Sequence, residues 1–194
     1  MTLIRVNPTS VQQYGREAQS SFDEIHTSLV RLVDEVVAVR YFGPNAVAFK
    51  TDCGRMTADF ARRLHLDLAA MADAVRRSTS NIAAALGGVP IHLHVEARQI
   101  VPPLPEVVDV VDVDTTALDG LVPVVARRFT EVRDRLGLHL RRLQATDWEG
   151  HAKLAAIDAV AGFTTSANRT CDTAEESLTS FIRRQVDAVV TADR

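Results

Sequence analysis

Aromatic residues are scarce in this chain of 194 residues: they make up 5% of it, with one Trp, two Tyr and seven Phe. A fold whose core needs few rings is an all-helical one, and Ala, Val, Leu and Arg dominate here accordingly. Cysteine is scarcer still. Cys53 and Cys171 both fall on apolar helical stripes rather than in loops, so the expectation is two buried thiols and not a disulfide scaffold. An excess of basic charge is missing too: 22 Lys and Arg stand against 25 Asp and Glu, for a net charge of -3. That balance argues against a nucleic-acid partner. No apolar run approaches the roughly 20 residues that span a bilayer, so no integral membrane segment is expected. Met1 to Arg5 is not a charged segment leading into an apolar core, so no Sec signal peptide is expected.

Catalytic patterns are also missing. There is no Gly-rich phosphate loop, no nucleophile elbow, and no helix with carboxylates and His at metal spacing. The expectation is a non-enzymatic protein with no catalytic, cofactor or metal residue. His92 and His94 share one face of an alternating segment, but only Glu96 stands near as a third ligand, so they read as solvent-facing. His26, His65, His139 and His151 are expected at the edges of helical stripes, and the Asp109–Asp114 run as a solvated linker. Five arginine pairs (Arg62-Arg63, Arg76-Arg77, Arg127-Arg128, Arg141-Arg142, Arg183-Arg184) straddle polar helix faces. Asn168-Arg169-Thr170 matches a glycosylation sequon inside a helix and is discounted.

What is abundant is helical periodicity. Val11, Tyr14, Ala18, Phe22, Ile25, Leu29, Leu32, Val36 and Val39 recur every three or four residues behind a capping run, Asn7-Pro8-Thr9-Ser10. A second stripe runs from Phe49 through Cys53, Phe60, Leu64, Met71 and Val75 to Leu86, where Gly87-Gly88 ends it. A third carries Leu118, Leu121, Val125, Phe129, Val132, Leu136, Leu140 and Leu143 behind the capping Asp114-Thr115-Thr116. Pro123 predicts a kinked or delayed start for that helix. A fourth runs from Ala156 through Val160, Phe163, Ala167, Cys171, Leu178 and Ile182 to Val189.

Two turns punctuate the stripes: Tyr41-Phe42-Gly43-Pro44 and Trp148-Glu149-Gly150. Each reads aromatic-x-Gly, and their glycines lie 107 positions apart (43 to 150). A helix–turn–helix unit thus occurs twice, and neither copy can bury its stripe alone. The predicted fold is all-α: two long antiparallel helical hairpins packed as an elongated four-helix bundle with one shared core. The hairpins comprise residues 1–87 and 115–194. Residues 88–114, with Pro90, Pro102, Pro103 and Pro105, form an extended linker, with a possible short strand at 91–96. About 27 extended residues reach roughly 90 Å, enough to pass a helix of about 42 residues, roughly 63 Å long. A parallel arrangement would need only a short loop, so the linker's length favours antiparallel hairpins.

Two helices joined by a Trp-x-Gly turn are the pattern of the WXG family, small substrates of type VII (ESX) secretion. The first turn, Tyr41 to Phe49, resembles the Trp-x-Gly-Pro-Asp-Ala-x-x-Phe version of actinobacterial members, with Tyr41 in the Trp place and Asn45 in the Asp place. The second, Trp148-Glu149-Gly150-x-Ala152, keeps the Trp and Gly. The resemblance covers nearly the whole chain and implies a tandem fusion imitating the family's dimer of hairpins. It implies export by a non-Sec route, or a cytoplasmic stay before export. The implied partners are the type VII machinery, another WXG-like helical protein or a toxin. It also implies a partner-recognition role for Tyr41, Phe42, Gly43, Pro44, Trp148 and Gly150; the alternative is that these residues only stabilise their hairpins, with the Trp148 ring wedged between the ends of the third and fourth helices and Gly150 allowing the tight turn. The family's Tyr-x-x-x-Asp/Glu export tail is not matched, since the only tyrosines are Tyr14 and Tyr41. That departure leaves travel with a signal-bearing partner, or a chaperone-like role inside the cell. The alternative is a cytoplasmic helical scaffold unrelated to export. Monomer and homodimer are both compatible with the sequence.

Overall fold

Sustained three- and four-residue apolar spacing becomes helix throughout. The computed structural model describes residues 3–88, 93–96, 98–102 and 104–193. It is an all-α helical bundle with α1 Pro8–Ala38, α2 Pro44–Ala85, α3 Thr115–Asp119, α4 Leu121–Gln144 and α5 His151–Ala192. Four two-residue strands accompany the helices: β1 Arg5–Val6, β2 Tyr41–Phe42, β3 Asp112–Val113 and β4 Trp148–Glu149. The third helix is not continuous from Thr115 as its stripe suggested. It closes at Gly120 and restarts as α4, with Pro123 in the first turn. Proline has no N–H for the carbonyl four residues back, and that loss is harmless only in a helix's opening turn. Leu86 also departs from its stripe: α2 ends at Ala85, and Leu86 lies exposed in the closing turn.

The chain forms two compact units, each drawing on both hairpins. One comprises Met1–Glu24, Arg63–Arg98 and Arg133–Arg169. Its core includes Val11, Tyr14, Ala18 and Phe22 of α1, Leu136 and Leu143 of α4, Val75 of α2 and Val160 of α5, all buried. Antiparallel packing of α1 on α4 shows in its ion pairs, Glu17 with Arg142 at 3.4 Å and Glu24 with Arg135 at 2.6 Å. The segment after α2 lies along α1 here. A Cβ at Gly15 would sit 2.6 Å from Leu93, the Glu96 N–H donates to Gln19 Oε1 at 2.9 Å, and Arg98 reaches Asp23 at 3.5 Å. Residues 93–96 form no ladder, and the rest of the segment read as a possible strand lies outside the described residues, as does His92.

His139 corrects an expectation in this unit. It is fully buried rather than at a stripe edge, stacked on Phe22 with ring centroids 4.7 Å apart. Neither ring nitrogen has a hydrogen-bond partner among the described residues. Burial, with the Arg142 charge second, pushes its pKa down to about 4.

The second unit comprises Ile25–Arg62, Gln99–Val132 and Thr170–Arg194. Leu29, Leu32 and Val36 of α1 face a core with Phe129 and Val132 of α4, Phe49 of α2, and Leu178 and Ile182 of α5. Phe60 tilts against Phe129 at 5.1 Å, and Phe49 stacks on Phe181 at 5.5 Å. Arg128, its side chain only 11% exposed, donates to both oxygens of Glu35 at 2.9 and 3.1 Å and to Glu131 at 3.0 Å. Ser28 donates to Glu131 at 2.9 Å. These bonds from Arg128 hold the Glu35 carboxyl below the usual range. At Glu131, burial pushes upward, but the Ser28 and Arg128 bonds outweigh it and the net shift is down.

Adding 107 to a residue number converts one unit's contacts into the other's. Phe22 maps to Phe129, Leu29 to Leu136, Leu32 to His139 and Val36 to Leu143. The Ser21–Arg142 contact (2.6 Å) becomes Arg128–Glu35, and Glu24–Arg135 becomes Glu131–Ser28. The offset that separates the two turns therefore persists through both hairpins without insertion. This repeat is structural, because chemically different residues hold the same places.

Candidate functional site

Each aromatic-x-Gly turn is a small built object. In the first unit, β4 pairs antiparallel with β1, setting Trp148 opposite Val6 and Glu149 opposite Arg5. The Asn7 N–H donates to the Asp147 carbonyl at 2.9 Å. Arg5 and the Asn7 amide both donate to the Asp147 carboxylate, at 3.0 and 3.2 Å. The Asp147 N–H donates in turn to the Ser10 hydroxyl at 2.9 Å. Asn7 Oδ1 accepts from Thr9 and Ser10 N–H, so the residue that starts α1 also clasps the turn. Trp148 is fully buried, and its indole N–H has no partner among the described residues. Gly150 has φ +123°, a conformation that other residues rarely adopt.

The same arrangement recurs in the second unit. There β2 pairs antiparallel with β3, Tyr41 opposite Val113 and Phe42 opposite Asp112. The Asp114 N–H donates to the Arg40 carbonyl at 2.9 Å, and Arg40 pairs with Asp112 at 2.8 Å. Asp114 caps α3 by accepting from the Ala117 N–H at 3.0 Å. Gly43 takes φ +110°. Tyr41 is buried against Phe49, and its hydroxyl accepts from Gln185 at 2.7 Å. Burial raises its pKa, the Gln185 bond acting weakly the other way.

Both turns are backed by a lysine that ties the chain back to the preceding helix. Lys153 donates to the Gln144 and Thr146 carbonyls at 2.8 and 2.9 Å, and Lys50 to the Val39 carbonyl at 3.0 Å. Under the 107 offset these are not equivalent positions: Lys153 matches Ala46 and Lys50 matches Ile157. Sites one helical turn apart thus serve one end, because i and i+4 share a face. Burial lowers the Lys50 pKa, and its ammonium also lies 5.2 Å from the Phe42 ring centre.

The six residues read as turn motif divide by exposure. Tyr41 and Trp148 are buried, Gly43 and Gly150 provide the bend, Pro44 opens α2 at the surface, and Phe42 is 40% exposed. Beside the second turn, a shallow open groove of about 540 Å³ is lined by Leu3, Trp148, Leu154 and Ile157, with Lys153 and His151 at its polar side. Its chemistry suits contact with another apolar surface. No group of three or more His, Cys, Asp or Glu side chains among the described residues is placed to hold a metal ion. Among them, too, no helix is long and apolar enough to cross a membrane.

Sequence reasoning found the turn residues but not their clasps. Arg5, Asp112, Asp147 and the two lysines show no periodicity, since a two-residue strand is too short to display one. The signal available was the offset itself, which sets Arg5-Val6-Asn7 against Asp112-Val113-Asp114. Compared with protein-family models, curated proteins and solved structures, the chain finds no match.

Proposed function

We propose that this chain is a non-enzymatic, WXG-like helical protein of a type VII secretion pathway, working through protein–protein contacts as a substrate, co-secreted partner or adaptor. One observation carries the reading. Two aromatic-x-Gly turns at a constant offset each hold their glycine at positive φ, and each is clasped by the strand that precedes the other hairpin. That is what a fused pair of turn-bearing hairpins would need, with each arm stabilising the other's bend. The surface beside the second turn is an apolar groove, which suits macromolecular contact better than small-molecule chemistry. The test is the protein's level in culture medium from cells with and without an active type VII ATPase. ATPase-dependent appearance supports the reading. Retention in the cytosol in both strains, or release that ignores the ATPase, overturns it.

A second reading has its own observation. Tyr41 and Trp148, the aromatic residues of the two turns, are both buried in the chain's own core, so their rings serve the hairpins themselves. This favours a scaffold that stays in the cytoplasm over an adaptor that a partner recognises through the turns. Co-expression with neighbouring helical-hairpin or toxin genes separates these outcomes: an adaptor reaches the medium only when the partner is present.

A further inference from the structure

Apolar side chains left in water are scattered over most of this protein, but they crowd one segment. Val101, Leu104, Val107, Val110 and Val111 are 80, 97, 73, 62 and 76% exposed. The segment has an internal period of three. Leu104, Val107 and Val110 form one exposed row and Glu106, Asp109 and Asp112 an acidic one, while Pro105 and Val108 are half-buried; the period ends there, since Val111, next in their row, is exposed. Three residues per turn is the period of an extended polyproline-type chain, and Pro102 and Pro105 begin this one. Until β3 at Asp112 the segment joins no ladder, so its backbone groups are not committed to a sheet. The apolar row from Leu104 to Val110 is about 19 Å long at about 3.1 Å per residue.

Charge narrows what can cover it. From Gln99 to Ala126 there is no Lys, Arg or His, whereas Glu106, Asp109, Asp112, Asp114 and Asp119 are all acidic. Of the acidic row, Asp112 is engaged by Arg40, and Glu106 and Asp109 are exposed. We propose that residues 104–111 are a docking strip for a partner protein offering an apolar groove flanked by arginine or lysine. A second copy of this chain fits less well: two strips laid together would set Glu106 and Asp109 against acids of their own kind. The inference goes beyond the secretion reading and does not depend on it: Val111, at the end of the strip, lies beside Gly43, but the row Leu104, Val107 and Val110 belongs to neither aromatic-x-Gly motif. A proline-bearing extended segment is recognised by side-chain pockets and a complementary rim, and the fixed φ of proline limits the order it loses on binding.

The experiment places a benzophenone amino acid at Val107 of the full chain in its native cell, with a control at exposed Glu176 on α5. Irradiation followed by mass spectrometry identifies the adduct. The purified partner is then titrated with the wild type, with Glu106→Arg/Asp109→Arg and with Leu104→Ser/Val107→Ser. Circular dichroism melts check that these exposed substitutions leave the fold intact. The expected result is one dominant adduct absent from the control, attached at a site that carries basic residues. Each double variant should weaken binding roughly ten-fold or more, and the charge reversal should also flatten its salt dependence. The proposal is overturned by no adduct above the control, by an adduct with a second copy of the chain, or by binding that ignores the charge reversal.

Discussion

Replacing His139 with Leu should make this protein more stable, because the repeat places Leu32 at the equivalent site. His139 is fully buried, and its two ring nitrogens are unpartnered among the described residues. An unsatisfied buried polar group costs about 1–3 kcal/mol. Losing the stacked contact with Phe22 at 4.7 Å gives back about 0.5–1 kcal/mol. The net expectation at neutral pH is a gain of about 1–2 kcal/mol. For a chain of this length that raises Tm by about 3–6 °C.

The pH dependence supplies a second and sharper readout. Folded His139 binds its proton only near pH 4, whereas the unfolded side chain does so near 6.5. Between those values the unfolded chain holds more protons, so wild-type stability is whole above 6.5 and declines as pH falls toward 4. The decline attributable to this residue is at most about 3 kcal/mol. Urea denaturation of wild type and His139→Leu at several pH values across that window measures both effects. A variant less stable than wild type at neutral pH, or one with the wild-type slope across the window, would refute the reasoning.

Three further outcomes are expected. Arg128→Met should cost about 2 kcal/mol by leaving Glu35 and Glu131 facing each other, whereas Arg127→Met, at an exposed site, should cost under about 0.5 kcal/mol. Denaturant titrations would show this, and also the loss in Arg128→Met of an acid sensitivity: the lowered carboxyls stabilise above 4.5 and yield as pH falls below it. Gly150→Ala and Gly43→Ala should each cost about 1–2 kcal/mol through positive φ. The Gly43 variant should suffer more, since its new Cβ would lie 3.2 Å from Val111, and thermal melts rank the two. Cys53, whose thiol burial pushes up to about 12, should react with a disulfide reagent only as fast as the protein opens. A rapid phase at Cys53 in the native protein, followed by peptide mapping, would contradict that.

The apolar stripes were legible because a helix buries residues at a fixed period, and Val11 to Val39 keep it through nine positions that all prove buried. The turns were legible because Gly43 and Gly150 interrupt that period. His139 was not, since a polar side chain on a stripe is read as its edge; only comparison with Leu32 through the offset exposes it as core. Leu86 misled in the opposite sense: it continues the stripe one residue past Ala85, inside the turn that Gly87 and Gly88 close through N–H bonds to the Ala84 and Ala83 carbonyls. The Trp148 ring was expected as a wedge, but its backbone role opposite Val6 is legible only through the offset that aligns Arg5-Val6-Asn7 with Asp112-Val113-Asp114. Lys50 and Lys153 were invisible for a similar reason, because their targets are carbonyl oxygens that every residue possesses.

The ion pairs that join the arms are complementary. Arg5 and Arg40 come from the first hairpin, their partner Asp147 from the second and Asp112 from the strand that leads into it. Glu17, Glu24 and Glu35 likewise meet Arg142, Arg135 and Arg128. Two copies of the leading arm, mated in this geometry, would bring Arg5 against Arg40; two trailing arms would oppose Asp112 to Asp147. Like-with-like association is therefore penalised, and the polypeptide encodes a preference for its own complement over a twin.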